Sequence, residues 1–294
     1  MRTLYHSLGP VIFWLVVVNA ALYALFTVAD VCDIRYALGT LPGADGSAPE
    51  ITATLTELLK YASICVCLTV SALVTRSVSH GRYSQASGKF PSKKTAEDFP
   101  HIRDARLQVV IFAFTLAADF LILFTPNFTV GIAVFCGAHL TALVRYAGAK
   151  RAKAMALIAL AVAAAAAAIA FMTSPAGSVV RDNLSTLSFG GEETIPWSYA
   201  AAASYTLLIT TATVYAFKRR QAHMNNILSR LGMTLFLLCD VNVLLWNLRN
   251  DAGLTGIPEQ TYVLMWTFYL PAQTMLALSA YDFERGNSRS AVFR

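Results

Sequence analysis

Eight long apolar stretches constrain this chain more than any other feature of its sequence. Each has roughly 18 to 22 mainly apolar residues, the length that an α-helix needs to cross about 30 Å of bilayer hydrocarbon. Because 56% of the residues are hydrophobic and only 14% are charged, the chain has too little polar surface for a soluble globule. We therefore predict an all-α, polytopic membrane helix bundle that forms a single domain over residues 1–294. The eight transmembrane helices are predicted at approximately 10–29, 53–75, 107–125, 128–147, 154–173, 198–217, 231–248 and 261–281.

Lysine and arginine are distributed unevenly between the two faces of this topology. Eight spans put 19 of the 23 Lys and Arg residues at the N-terminus, in or beside the loops 76–106, 148–153 and 218–230, and in the C-terminal tail. Positive residues collect in cytosolic loops, so we predict that both termini are cytosolic and that 76–106 is a flexible, basic cytosolic loop. The net charge of +6 then reflects topology, and no nucleic-acid partner is needed. The expected location is the endoplasmic reticulum or another endomembrane in a eukaryote, or the inner membrane in a bacterium.

Few ionisable side chains lie within the predicted spans when those in the loops, and Arg145 beside a loop, are left out of the count. A charged residue at the centre of a membrane helix costs about 2.5–3.5 kcal/mol, so such groups should face the bundle interior. Counting residues from the span ends predicts one polar pocket between the midplane and the outer third of the bilayer. Its members are Lys60, Asp119, His139, Asp240 and Gln273. The other polar side chains expected near it are Tyr205, Asn242, Trp246 and Tyr269.

Several of these groups also have a purely structural interpretation. Glu57 and Lys60, three residues apart on one helical face, could pair with each other near the interface. His139 could be a satisfied interior histidine. Tyr269 and Gln273, four residues apart, could form hydrogen bonds between helices.

Asp119 and Asp240 are the strongest candidates for a function, because neither has a basic residue within a helical turn. A functional pair is therefore favoured over a structural polar clamp. Each aspartate is embedded in an aromatic and aliphatic run, "FAFTLAADFLILF" at 112–124 and "LFLLCDVNVLLWN" at 235–247, in the third helix of its half of the chain. This similarity suggests a parallel repeat of four plus four helices. The five cysteines lie mostly in apolar runs without metal-ligand spacing, and we expect no metal site.

Four motifs resemble the YhhN family of membrane proteins, the lysoplasmalogenases, over about residues 55–285. In chain order they are "ELLKYASI" (57–64), "ADFLILFTPNFTVGIAVFCGAHLTAL" (118–143), "LGMTLFLLCDVNVLLWNL" (231–248) and "TFYLPAQTMLALSA" (267–280). They are similar to the family's Lys-Pro, Gly-Asp with Ala-His, Ser-Asp, and Tyr with Ala-Gln elements. The residues at matching positions are Lys60, Asp119, His139, Asp240, Tyr269 and Gln273. Cys239 stands where the family pattern has serine.

The resemblance implies hydrolysis of the vinyl ether bond of lysoplasmalogens, which yields a fatty aldehyde and glycerophosphoethanolamine or glycerophosphocholine. This reaction begins with protonation of an alkene carbon, after which water adds to the oxocarbenium ion. It needs one protonated carboxylic acid and one ionised carboxylate, two roles that Asp119 and Asp240 could divide in either order. The expected partners are then the lysophospholipid substrate and the bilayer, and no cofactor is required.

Six further residues are predicted to bind the substrate. Lys60 and His139 are candidates for the phosphate or for orienting water, and Tyr269 and Gln273 for hydroxyl groups. The full predicted set is Lys60, His139, Tyr205, Asn242, Tyr269 and Gln273.

Two other functions remain open. A proton-coupled small-solute transporter would use the same aspartates and His139 as proton relays, and would contain discontinuous helices at matching places in its two halves. A lipid-binding membrane protein without catalysis is the other alternative.

Overall fold

The computed structural model describes residues 9–37, 50–83, 100–125, 127–173, 195–219, 223–251, 260–281 and 283. Within these ranges the structure is built from α-helices, without strands, which confirms the predicted all-α class. In chain order the helices are α1 (Pro10–Ala37), α2 (Glu50–Tyr83), α3 (Pro100–Phe124), α4 (Phe128–Ala147), α5 (Ala149–Thr173), α6 (Ile195–Lys218), α7 (His223–Asp251) and α8 (Gln260–Leu278).

Seven helices, α1 to α7, contain a segment long and apolar enough to cross a membrane. The chain is therefore a multi-pass membrane protein, as predicted. The eighth helix, α8, has 19 residues with Pro271 inside it, and it packs along α7. The crossing of the membrane by α8, the cytosolic position of both termini and the identity of the membrane stay predictions.

The polar connector between α2 and α3 is shorter than predicted. α2 continues to Tyr83 and α3 begins at Pro100, so the expected loop 76–106 is helical at both ends. Residues 84–99 lie outside the described part of the chain. The predicted spans end at the first charged residues, because they are located by their apolar composition. A helix can continue through charged residues that are exposed or paired, so the real helices are longer.

Six helices close a ring, and the other two lie against its outside. α2, α3, α4, α6, α7 and α8 pack side by side in that order, and α8 packs back against α2. α1 packs against α2 and α8, and α5 packs against α4 and α6. Only 17% of the most apolar window of α1 and 11% of that of α5 are buried, against 33 to 39% for the other five spans. The low burial agrees with a peripheral position for both helices.

The packing pattern repeats in the two halves of the chain. Exchanging α1 to α4 with α5 to α8, helix by helix, reproduces the same set of neighbours. α3 and α7, which carry the two aspartates, therefore occupy equivalent places three helices apart around the ring. This arrangement agrees with the parallel repeat that the sequence suggests.

Equivalent residues also make equivalent contacts. The shift in residue number that aligns the two aspartates also aligns Asp104 with Asn225. Asp104, near the start of α3, accepts hydrogen bonds from Arg145 at the end of α4. Asn225, near the start of α7, donates one to the carbonyl of Ser279, just after α8. A second, slightly larger shift in residue number aligns α4 with α8. It pairs Phe135 with Tyr269, Ala138 with Ala272, His139 with Gln273 and Arg145 with Ser279.

Glycines allow the closest helix approaches within each half. A Cβ added to Gly131 of α4 would lie 2.5 Å from the Ile122 side chain of α3. A Cβ added to Gly232 of α7 would lie 2.8 Å from Leu276 of α8. Both helix pairs therefore depend on a residue without a side chain, as small residues generally allow in membrane bundles.

Candidate active site inside the helix ring

Asp119 of α3 is buried, with 4% of its surface exposed. The hydroxyl of Tyr269, from α8, donates a hydrogen bond to the carboxyl Oδ2 of Asp119 over 2.6 Å. Tyr61 of α2 also interacts electrostatically with Asp119. The hydrogen bond from Tyr269 thus joins α8 to α3 at this carboxyl group.

Asp240 occupies the equivalent place on α7. The hydroxyl of Tyr205, from α6, interacts with its carboxyl group. The carboxyl Oδ2 is buried and has no hydrogen-bond partner in the described part of the chain. The neighbouring Cys239 interacts electrostatically with both Asp119 and Asp240.

Aromatic rings connect the surroundings of the two aspartates. The centroid of the Phe236 ring lies 5.5 Å from that of Tyr269 and 5.2 Å from that of His139. The His139 ring lies 4.9 Å from that of Tyr205. His139 is itself buried, and its Nε2 atom has no hydrogen-bond partner among the described residues. The space between the two aspartates is therefore lined mainly by aromatic rings, with a few polar atoms among them.

The structure brings five of the eight predicted site residues together. We call this group the aspartate cluster, and its members are Asp119, His139, Tyr205, Asp240 and Tyr269. They come from α3, α4, α6, α7 and α8, which are five of the six ring helices.

Lys60 belongs to a separate polar group at the junction of α1, α2 and α8. Its Nζ atom donates hydrogen bonds to Asp30 Oδ1 over 2.8 Å and to the Tyr262 hydroxyl over 3.1 Å. The same nitrogen lies 4.5 Å from the centroid of the Trp266 ring, a cation–π contact. Trp266 packs edge-on against Tyr269 with 5.6 Å between the ring centroids. Lys60 therefore reaches the aspartate cluster only through intervening rings, and its role as a substrate ligand stays a prediction.

Gln273 and Asn242 differ in how their amides are used. Gln273 is 1% exposed, and its Nε2 atom has no hydrogen-bond partner within the described ranges. The Nδ2 atom of Asn242 donates to the carbonyl of Leu238 in its own helix over 2.8 Å. The amide of Asn242 is thus partly satisfied by α7, whereas that of Gln273 is held inside the protein with its donor unused.

Three buried ionisable residues, Asp30, Asp104 and Arg145, are absent from the predicted set. Asp30 lies one residue beyond the first predicted span and Asp104 three residues before the third. Arg145 is only 2% exposed inside α4, whereas the charge count places it with the adjacent loop. Lys60 pairs with Asp30 and not with Glu57 of its own helix, so that structural alternative is wrong. A search for opposite charges at the ends of neighbouring spans could have found these pairs.

Asp104 is the centre of a buried charge network at one end of the ring. Its carboxyl group accepts hydrogen bonds from Nε and Nη2 of Arg145 over 3.0 and 2.9 Å, and from Nη1 of Arg219 over 2.5 Å. Nη1 of Arg145 also donates to Gln108 and to the Tyr146 hydroxyl. The network links α3, α4 and the end of α6. Because it pairs opposite charges, it has an evident structural role.

Metal ligands are not assembled in the described ranges, where no group of three or more His, Cys, Asp or Glu side chains could hold an ion. The five cysteines, all within those ranges, are free.

A bundle of membrane-spanning helices around two interior aspartates, each of which interacts with a tyrosine hydroxyl, defines a multi-pass membrane protein with an interior polar site. The sequence profile of the YhhN family matches residues 99–280, more than half of the chain, and the protein therefore belongs to the YhhN family. The matched range contains the whole aspartate cluster, whereas α1 and α2, with Lys60, lie before it. No curated protein and no solved structure matches the sequence.

Proposed function

We propose that the protein is an integral membrane hydrolase that cleaves the vinyl ether bond of lysoplasmalogen-type lysophospholipids. Membership of the YhhN family, which includes lysoplasmalogenases, supports this class of reaction. The observation that carries the proposal is the presence of two interior aspartates on equivalent helices, of which Asp119 accepts a hydrogen bond from Tyr269 and Asp240 interacts with Tyr205. Vinyl ether hydrolysis needs one carboxylic acid and one carboxylate, and Asp119 and Asp240 would supply them.

The proposed reaction consumes one water molecule and returns the protein to its starting state. A carboxylic acid donates its proton to the alkene carbon that does not bear oxygen, which leaves an oxocarbenium ion. Water adds to the other alkene carbon and gives a proton to a carboxylate. In the resulting hemiacetal, the bond to the glycerol oxygen breaks as that oxygen takes the proton that water gave to the second carboxyl group. The hemiacetal hydroxyl gives its proton to the carboxylate that first protonated the alkene, so both groups regain their starting states. The products are a fatty aldehyde and the glycerophospho-alcohol.

Hydrogen bonding suggests how the two aspartates divide these roles. Asp119 Oδ2 accepts a short hydrogen bond from Tyr269, which favours the ionised form, since a phenol donates to a carboxylate. Asp240 has a buried oxygen without a donor among the described residues, and an ionised carboxylate would be costly there. We therefore assign Asp240 as the acid that protonates the alkene, and Asp119 as the carboxylate that stabilises the cation and activates water.

The transporter alternative has less support. It requires helices that are interrupted at matching places in the two halves. α4 and α8, which are equivalent in the repeat, are each one continuous helix, and Pro271 lies inside α8 without ending it.

The test is aldehyde release from a lysoplasmalogen by the purified protein in detergent. Asp240→Asn and Asp119→Asn should each lower kcat by roughly 10²- to 10⁴-fold, the contribution typical of a positioned acid or base. Melting temperatures must match the wild type, so that unfolding does not explain the loss. With wild-type protein in ¹⁸O-labelled water the aldehyde oxygen should be labelled, and in D₂O the aldehyde should carry one deuterium at carbon 2.

Two outcomes would contradict the proposal. Activity that survives both substitutions would exclude the two aspartates as the acid and base. A well-folded wild type that binds lysoplasmalogen but releases no aldehyde would favour the lipid-binding alternative.

A further inference from the structure

Two buried polar groups, each four residues from a member of the Asp119–Tyr269 contact, have no hydrogen-bond partner in the described part of the chain. They are the hydroxyl of Thr115, a residue that is 0% exposed, and the Nε2 amide of Gln273, which is 1% exposed. A buried donor without an acceptor costs about 1–3 kcal/mol. Two such groups, each one helical turn from a residue of the site, therefore require an explanation.

Thr115 differs from most other threonines in these helices. The hydroxyls of Thr69, Thr75, Thr141, Thr206, Thr213, Thr234, Thr267 and Thr274 each donate to the carbonyl four residues earlier in their own helix. That bond is the usual way in which a helix satisfies a threonine. Thr115 does not make it, although its hydroxyl is fully buried. Its hydroxyl is thus available to a group outside its own helix.

Helical periodicity places Thr115 and Gln273 at one level inside the ring. Thr115 precedes Asp119 by four residues on α3, and Gln273 follows Tyr269 by four residues on α8, so each shares a helical face with its neighbour. The predicted topology runs these helices in opposite directions, so both steps, about 6 Å along the axis, lead to the same side of the Asp119–Tyr269 contact. The two polar groups are therefore expected to face each other one helical turn from that contact.

The internal repeat supports the same placement independently. Thr115 aligns with Phe236, and Gln273 aligns with His139. In this equivalent pair, the rings of Phe236 and His139 meet across the interior with 5.2 Å between their centroids. The pair of Thr115 and Gln273 has a short threonine in place of the phenylalanine ring. By this equivalence we expect the hydroxyl of Thr115 and the amide of Gln273 to face each other with more room between them.

We propose that Thr115 and Gln273 form a subsite for the free sn-2 hydroxyl of the lysophospholipid, a proposal that rests on the function given above. The oxygen of a hydroxyl has two lone pairs, so it can accept one hydrogen bond from the amide N–H of Gln273 and another from the hydroxyl of Thr115, which satisfies both buried donors. In the substrate this hydroxyl is one carbon away from the carbon that bears the vinyl ether oxygen. With the vinyl ether at Asp119, the sn-2 position then lies within a helical turn of it. The pair thereby selects lysolipids over lipids acylated at sn-2.

The experiment compares two vinyl ether lipids that differ only in the sn-2 hydroxyl, lysoplasmenylethanolamine and its 2-deoxy analogue. Wild-type protein should show a kcat/KM ratio of roughly 10 to 100 in favour of the hydroxylated lipid, since the analogue leaves two buried groups unpaired. Thr115→Val, Gln273→Met and the double variant should bring this ratio to within about threefold of one. The matched control is Thr213→Val, which removes a threonine hydroxyl already bonded within its own helix and should keep the wild-type ratio.

Binding separates this proposal from the proposed reaction. The uncleavable 1-O-alkyl lysolipid and its 2-deoxy form are titrated into the same proteins by calorimetry. Preference for the hydroxylated ligand that is lost in Thr115→Val supports the subsite even where no aldehyde is released. Equal affinity of wild type for both ligands, or a preference that the Thr115 and Gln273 substitutions leave unchanged, would overturn it.

Discussion

Removal of the Asp104 carboxyl group should destabilise the protein more than any other single change in its charge network. Among the described residues, Arg145 donates two hydrogen bonds to Asp104 and Arg219 donates one. In Asp104→Ala the guanidinium of Arg145, 2% exposed, loses its only observed carboxylate partner within the described residues. Breaking a buried ion pair by removing one member costs about 3–5 kcal/mol. We expect that loss in the free energy of unfolding.

The network also predicts an order among its members. Arg145→Met leaves Asp104 paired with Arg219, so its cost should be smaller, about 1–3 kcal/mol. The side chain of Arg219 is 20% exposed, and a more solvated pair contributes roughly 1 kcal/mol or less. The equivalent neutral contact in the second half, tested by Asn225→Ala, should cost about 1–3 kcal/mol, because the amide donates two hydrogen bonds to carbonyl oxygens.

The assay is equilibrium unfolding of the purified variants in mixed micelles, followed by tryptophan fluorescence. The physical argument would be refuted by Asp104→Ala within 1 kcal/mol of the wild type. It would also be refuted by Arg219→Ala destabilising as much as Asp104→Ala, since the buried member would then not dominate. The double variant Asp104→Ala, Arg145→Met should be less destabilised than the sum of the single variants, because it leaves no unpaired charge on Arg145.

Two further changes test the helix contacts that form the site. Tyr269→Phe removes the hydroxyl that donates to Asp119 over 2.6 Å. A hydrogen bond to a charged group contributes about 1.5–3 kcal/mol, so kcat for aldehyde release should fall roughly 10- to 100-fold. An unchanged kcat would exclude a role for this bond. Gly232→Ala places a Cβ 2.8 Å from Leu276, an overpacking that should cost about 1–3 kcal/mol and lower the unfolding midpoint. Its control is Gly137→Ala, whose added Cβ meets the exposed ring of Phe114, which can rotate away. An equal loss of stability in both variants would contradict the argument that α7 and α8 need Gly232 at their contact.

The fold class is predictable from this sequence because membrane helices are specified locally. A run of apolar residues must form a helix in lipid, since the backbone has no other way to satisfy its hydrogen bonds. Length and hydropathy therefore locate the helices without knowledge of their neighbours. The ends are less predictable, and Asp104 shows why. A charged residue ends an apolar window, whereas its pairing partner, Arg145, lies on another helix and cannot be identified by hydropathy.

The candidate site is only partly predictable for the same reason. Asp119 and Asp240 stand out because each is a carboxyl group in an apolar helix, which is costly wherever its partner lies. Lys60 stands out equally, yet it pairs with Asp30 on α1 and lies outside the aspartate cluster. Thr115 carries no signal in the sequence at all, because threonine is common in helices and most of its hydroxyls bond to their own backbone.

The sequence by itself determined that this chain forms a helical membrane bundle and that Asp119 and Asp240 lie within its apolar helices. Both conclusions depend on the cost of exposing polar groups to hydrocarbon, and that cost is a property of each segment alone. Only the tertiary structure decided which tyrosine contacts which aspartate, which cation is already neutralised, and which buried donors are left unused. Those outcomes depend on helix packing around the ring, where residues far apart in the chain come within hydrogen-bonding distance.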